Sequence, residues 1–204
     1  MERAVDQKPD TLRLGTVMNA EGVAGQAVRL TPRVRGVLCL LALWVLEPVL
    51  SLDLSETGRD AAHRAWTLYE QAWDAVLNAS MPLAAQTEEL VASSDELQLD
   101  EEPYDASLYR LYFLAALLYA LGSYTSDSQD DFVAFLQRIS DTIQVLNSDG
   151  FSAPDGMAID RLMLEAIQEL ENCSDLTAPL AEELRGRFAP ARAAWQRAVQ
   201  SSRS

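Results

Sequence analysis

Residues 31–46 read TPRVRGVLCLLALWVL, and this stretch decides the fold. Thr31 is a good helix N-cap, and Pro32 suits the first turn, where its missing N–H leaves nothing unsatisfied. From Val37 to Leu46 only Cys39 and Trp44 carry a polar atom, so the helix is apolar on nearly every face. A helix of that kind should be buried within a helical domain. Pro48 is expected to end or kink it. The ten residues of VLCLLALWVL are too few to cross a bilayer, which needs about 20. Arg29, Arg33 and Arg35 precede the run as in a signal peptide. Against that reading, the run starts late, and Glu47-Pro48 stands where a small-residue cleavage site belongs.

The flanking sequence supplies the cover. A second helix is expected from about Ser55 to Leu77, with Ala62, Trp66, Tyr69, Trp73, Val76 and Leu77 on one face at the 3.6-residue period. A short helix from Pro82 to about Ala92 follows, then an acidic loop. Residues 107–119 are again apolar all round and read as the central element of the bundle, with Gly122 as the expected stop. Ser128 should cap the next helix, with Asp130 and Asp131 in its first turn and a stripe from Phe132 to Leu146. A sixth helix carries Ile159, Met163, Ile167 and Leu170. Thr177 should cap the seventh, whose stripe includes Leu184, Phe188 and Trp195 and which Pro190 should kink. No repeat at solenoid spacing and no strand alternation appears after residue 30. The expected fold is all-α: a single irregular bundle of about seven helices over residues 31–201. Residues 1–30 are expected to be a loosely ordered N-terminal segment with a short strand around Leu12–Met18.

Charge narrows the function classes. The chain has 204 residues, 31 acids and 16 bases, a net charge of −15. Residues 36–184 hold 27 acids against five bases, a net of −22, whereas residues 185–204 hold five Arg and no acid. Phosphate contacts need a basic face, so nucleic acid is not an expected partner. Eight acids and no base lie between Glu88 and Asp105. Glu101, Glu102 and Asp105 are the candidate docking residues of that segment for a basic protein, and mere solvation is the competing reading. Cys39 and Cys173 are too few for a disulfide framework and read as reduced core thiols. The expected location is the cytoplasm, with no membrane association.

Catalytic patterns are sparse. There is no glycine-rich phosphate loop and no Cys/His zinc pattern. His63 is the only histidine, so neither a three-histidine metal site nor a di-iron carboxylate–histidine site can be assembled from this chain. It reads as a structural residue. Asp127, Asp130 and Asp131 form the tightest acidic cluster, and Glu165, with Glu169 one turn on, could face it as a second carboxylate set. Paired carboxylates from facing helices are what Mg²⁺ or Mn²⁺ would need. Helix capping and a solvated face account for the same residues. Trp66, Trp73 and Trp195 fall on apolar stripes and read as core anchors.

With the helices placed, four stretches resemble the YjaG-like family, bacterial helical proteins without an assigned function. They are Cys39–Pro48, the Glu56-Thr57-Gly58-Arg59-Asp60 turn, Tyr69–Leu77 with its Trp73-Asp74 pair, and Glu165–Arg187. The resemblance covers roughly residues 33–190 and rests on order, lengths and punctuation. It implies an all-helical fold and supplies no catalytic residue. The expected function is non-enzymatic: an acidic helical protein that binds another protein, of the immunity, inhibitor or adaptor type, without a cofactor. The alternatives are a carboxylate-dependent Mg/Mn enzyme acting on phosphate compounds and a purely structural subunit. Self-association stays open.

Overall fold

The computed structural model describes residues 18–52, 56–78, 107–151, 157–171 and 176–201. These residues form seven α-helices and two 3₁₀ segments, with no strand among them. The helices are α1 (Ala20–Gln26), α2 (Pro32–Leu46), α3 (Glu56–Leu77), α4 (Ser107–Thr125), α5 (Asp130–Ser148), α6 (Met157–Leu170) and α7 (Ala178–Ser201). The 3₁₀ segments are Ala27–Arg29 and Glu47–Leu52. The all-α bundle expected from the sequence is what forms.

The hub is α2, whereas the helix expected at the centre, α4, is one of its neighbours. α2 packs against α3, α4, α5, α6 and α7, and every residue from Val37 to Leu43 is completely buried. Its start follows the sequence: the Thr31 hydroxyl accepts from the Val34 N–H at 3.4 Å, with Pro32 at N1. Pro48 does end the α-helix, but the chain tightens into the 3₁₀ segment instead of turning away. The continuous helical stretch Pro32–Leu52 is therefore long and apolar enough to cross a membrane by length and composition, and most of it is buried against the other helices. That stretch is twice the ten-residue run visible in the sequence.

Two glycines set how closely the hub's neighbours approach. A Cβ at Gly36 of α2 would lie 2.7 Å from Cβ and 3.2 Å from Cα of Tyr124, so no side chain fits between α2 and the end of α4. A Cβ at Gly122 would meet the Asp131 carboxyl carbon at 2.6 Å. Gly122 therefore does not stop α4, which runs on to Thr125; it is the notch that admits α5. The N-cap of α5 is Gln129 and not Ser128, whose hydroxyl accepts from the Asp130 N–H at 3.1 Å just ahead of it. The helix ends in a Schellman turn, with Gly150 at φ +81°. There the Phe151 N–H donates to the Leu146 carbonyl at 3.0 Å and the Gly150 N–H to that of Asn147 at 3.2 Å.

The N-terminal expectation is corrected from Met18 onward. Residues 18–30 are ordered: α1 and the first 3₁₀ segment bury Met18, Val23, Ala27 and Leu30 in the main core. The Asn19 side chain caps α1 by accepting from the Gly22 N–H at 3.0 Å, while its own N–H donates to the Asp160 carboxylate of α6. A helix of seven residues with two glycines has weak intrinsic propensity, so tertiary contacts hold it, and those are invisible in local pattern. Apart from Met18, the expected strand around residue 12 and the helix expected after Pro82 lie outside the described residues.

α3 buries Tyr69, Trp73 and Val76, whereas Trp66 is half-buried and stacks on Tyr69 with ring centroids 4.8 Å apart. His63 is exposed, not a core residue. α7 continues through Pro190, and Leu184, Phe188, Trp195 and Val199 are buried. Trp73→Ala should cost about 3–5 kcal/mol of stability, the usual range for emptying a buried aromatic site. Trp66→Ala should cost less, because part of its surface stays wet in the folded state. Urea or thermal unfolding of the two variants checks the order, and equal losses would contradict the burial described.

Candidate functional site

The sequence-derived carboxylates do not converge. Asp127 and Asp130 are exposed, Asp131 lies against Gly122, and Glu165 is held by Arg161 one turn away at 2.8 Å on the outer face of α6. Glu169 pairs with Arg187 of α7. Among the described residues no three His, Cys, Asp or Glu side chains group as a metal site. The facing carboxylate sets that a Mg/Mn site would need are thus not brought together, because α6 turns its acids toward arginines. Glu101, Glu102, Asp105 and Cys173 lie outside the described residues.

What the structure does bring together is an arginine–tryptophan stack that sequence spacing did not reveal. Arg185 of α7 lies between two indoles, 4.8 Å from the Trp44 ring centre and 5.0 Å from that of Trp73, and Arg192 covers Trp44 at 5.0 Å. Carboxylates surround the guanidiniums: Glu70 at 3.4 Å and Glu182 at 3.8 Å from Arg185, and Glu47 on Arg192. The Trp73 indole N–H donates to Glu182 at 3.2 Å. Arginine suits this position because its planar, weakly hydrated head can stack and pair at once. All its charges are matched internally, so the stack clamps α7 onto α2 and α3 and leaves no free cation for chemistry. The signal in the sequence was Arg185 and Arg192 seven apart, hence on one helix face.

Other buried polar groups are also structural. Arg35 is 3% exposed and donates to the carbonyls of Ser126, Asp127 and Ser128 at 2.8, 3.2 and 3.3 Å, clamping the α4–α5 turn. Arg33 donates to the Leu77 carbonyl at 3.1 Å, a cation at the C-terminus of α3. Burial pushes the Cys39 thiol well above its ordinary range, offset in part by the Ser123 hydroxyl and Arg35. It stays protonated and is a poor nucleophile. Burial likewise raises Tyr69, whose hydroxyl donates to the Leu40 carbonyl at 3.1 Å.

A small apolar cleft of about 10 Å³, room for about one water molecule, lies between the C-terminal end of α2, the 3₁₀ segment after it, α4 and α5. Leu43, Leu46, Val49, Phe113 and Ile139 line it, with Tyr109, Tyr112 and Thr142 as its polar atoms. The Tyr109 hydroxyl donates to Asp149, and Arg138 lies over the Tyr112 ring at 4.9 Å. The Tyr109 hydroxyl is raised by burial first and by Asp149 second.

The chain matches no family model, no curated protein and no solved structure.

Two outcomes follow from this geometry. Mg²⁺ or Mn²⁺ at millimolar concentration should leave the thermal midpoint unchanged; a ligand of the folded state at 100 times its Kd would add about 2.7 kcal/mol. Asp160 is 6% exposed, and one of its carboxylate oxygens has no hydrogen-bond partner among the described residues. Burial raises its pKa, and the Asn19 N–H opposes that rise. The folded state therefore holds this proton more tightly than the unfolded chain. On that account stability falls as pH rises from the ordinary aspartate value through the raised one. Asp160→Asn should accordingly raise the thermal midpoint at neutral pH, with the gain shrinking toward acid pH; a variant less stable at pH 7 would overturn the assignment.

Proposed function

We propose that this chain is a non-enzymatic, acidic, cytoplasmic protein that binds a basic protein partner, of the immunity, inhibitor or adaptor kind. One observation carries the reading: several exposed carboxylates stand without an ion pair, while many of the arginines are already engaged within the protein. Arg161, Arg185, Arg187 and Arg192 are engaged by carboxylates, and Arg33 and Arg35 by carbonyls. Asp74, Asp130, Asp141, Glu171 and Glu183 are exposed, and no ion pair among the described residues uses them. Such a surface accelerates encounter with a cationic partner and disfavours an anionic one. The Arg-rich C-terminal end, which composition alone offers as a second docking face, gives Arg185, Arg187 and Arg192 to internal pairs. The resemblance to the YjaG-like family belongs to this reading, since it implies the same architecture and no catalytic group.

The test is affinity capture from the native host with the whole chain, at low and at high salt. A specific basic protein should be retained, and its association should slow when Glu101, Glu102 and Asp105 are neutralised together. The slowing should fade as the Debye length falls from about 10 Å at 0.1 M to about 3 Å at 1 M salt. Thermal stability should be unchanged or slightly higher in that variant, because like charges repel. Association that ignores both salt and the triple variant would sink the electrostatic reading.

A further inference from the structure

Trp44 is the one residue from Val37 to Leu46 on the hub helix that is not buried. Its ring and that of Trp73 on α3 share one cation, the Arg185 guanidinium, at 4.8 and 5.0 Å from the two ring centres. Two indole faces around one cation form an aromatic cage. Acids rim it: among the described residues its ion pairs set three carboxylates, Glu47, Glu70 and Glu182, against two guanidiniums, Arg185 and Arg192. The cage also reaches the surface, since the side chains of Arg185, Glu70 and Glu182 are 19%, 42% and 54% exposed. The seat of α7 does not depend on Arg185, because Leu184, Phe188, Trp195 and Val199 are buried in the core. The Arg185 head can therefore leave the cage while α7 stays in place. Its ion pairs are partly exposed and hold it weakly.

We propose that this cage recognises an arginine side chain of the basic partner, and that Arg185 is its internal stand-in, displaced when the partner docks. The proposal rests on the basic-partner reading above. The chemistry of the occupant is that of the group now filling the cage. A guanidinium is flat and weakly hydrated, so it stacks on indole faces while its edge N–H groups pair with carboxylates. A lysine ammonium is compact and strongly hydrated and gains less in such a place. The extra carboxylate leaves the rim net negative even with Arg185 and Arg192 in position, which draws a further cation toward it. The internal occupant sets a threshold, because a site that is filled most of the time binds with an apparent affinity lowered by the fraction left open. An arginine held against the cage by a docked surface meets that threshold through its high local concentration.

The probes are the blocked tripeptide Gly-Arg-Gly and its lysine counterpart, titrated into the full-length protein at low salt, with calorimetry and tryptophan fluorescence as readouts. The arginine peptide should bind the wild-type protein weakly and shift its tryptophan emission. Arg185→Ala, with an unchanged helical spectrum as its control, should bind the peptide about tenfold more tightly, the gain expected if Arg185 fills the cage about 90% of the time. Glu70→Gln and Glu182→Gln together, in the Arg185→Ala background, should remove that gain; both side chains are half-exposed, so the fold is spared. The lysine peptide should bind more weakly than the arginine peptide to both proteins. Equal binding by wild type and Arg185→Ala, or binding by Arg185→Ala alone with none by the wild type, overturns the proposal. Either result returns the stack to a clamp, whatever affinity capture retains. Failure to capture a basic protein, with the peptide results as expected, would instead count against the partner reading and leave the cage as an arginine site.

Discussion

Everything in this molecule answers to the need to cover α2. A helix whose residues 37–43 are wholly buried has no solvent side, so the remaining helices must close around it. α4, nearly as apolar, comes nearest because Gly36 faces Tyr124 with no side chain between them. α5 then fits onto α4 at Gly122, and the amphipathic helices α3, α6 and α7 bring one apolar face each. Removing water from that much aliphatic surface is the main favourable term, at about 25 cal/mol per Å². It also favours partners inside the protein for the polar heads that α2 carries.

The arginines show how that demand is met. Arg35 emerges from the hub beneath the α4–α5 turn and binds three successive carbonyls. Those carbonyls follow the C-terminus of α4, where intrahelical donors run out and a cation is favoured. Arg33 does the same at the end of α3. Trp44 is only half-buried on α2, and two guanidiniums from α7 cover it. The hub's few polar or wet points are thus sealed by arginine, whose flat head can stack or form several hydrogen bonds at once.

Much of the fold could be read from the sequence because it rests on local signals. Thr31-Pro32 and the stripe from Phe132 to Leu146 have physical causes within a few residues of themselves. The failures are non-local. Gly122 looks like a stop because glycine often ends helices, but its role is set by Asp131 on the next helix. α1 looks like a tail because its seven residues lack propensity, but Asp160, more than a hundred residues away, receives its first N–H. His63 sits on a helix rich in core aromatics yet points outward. The candidate site was less legible still. Helical spacing can place Asp130 or Glu165 on a face, but only the packing decides which residue that face meets.

The partition of charge is the clearest product of that packing. In the sequence the last 20 residues are basic and the preceding 149 strongly acidic, a pattern that suggests two surfaces of opposite sign. Folding removes the contrast by laying α7 against acidic neighbours: Glu47 after α2, Glu70 on α3 and Glu169 on α6 each receive an arginine from it. Each such pair is partly exposed, so each adds little stability, of order 0–1 kcal/mol. Their larger effect is on the surface left behind. Arg185, Arg187 and Arg192 are engaged with other acids, and Asp74, Asp141, Glu171 and Glu183 face solvent without an ion pair among the described residues. The same packing that closes the core therefore sets the sign of the field an approaching molecule meets.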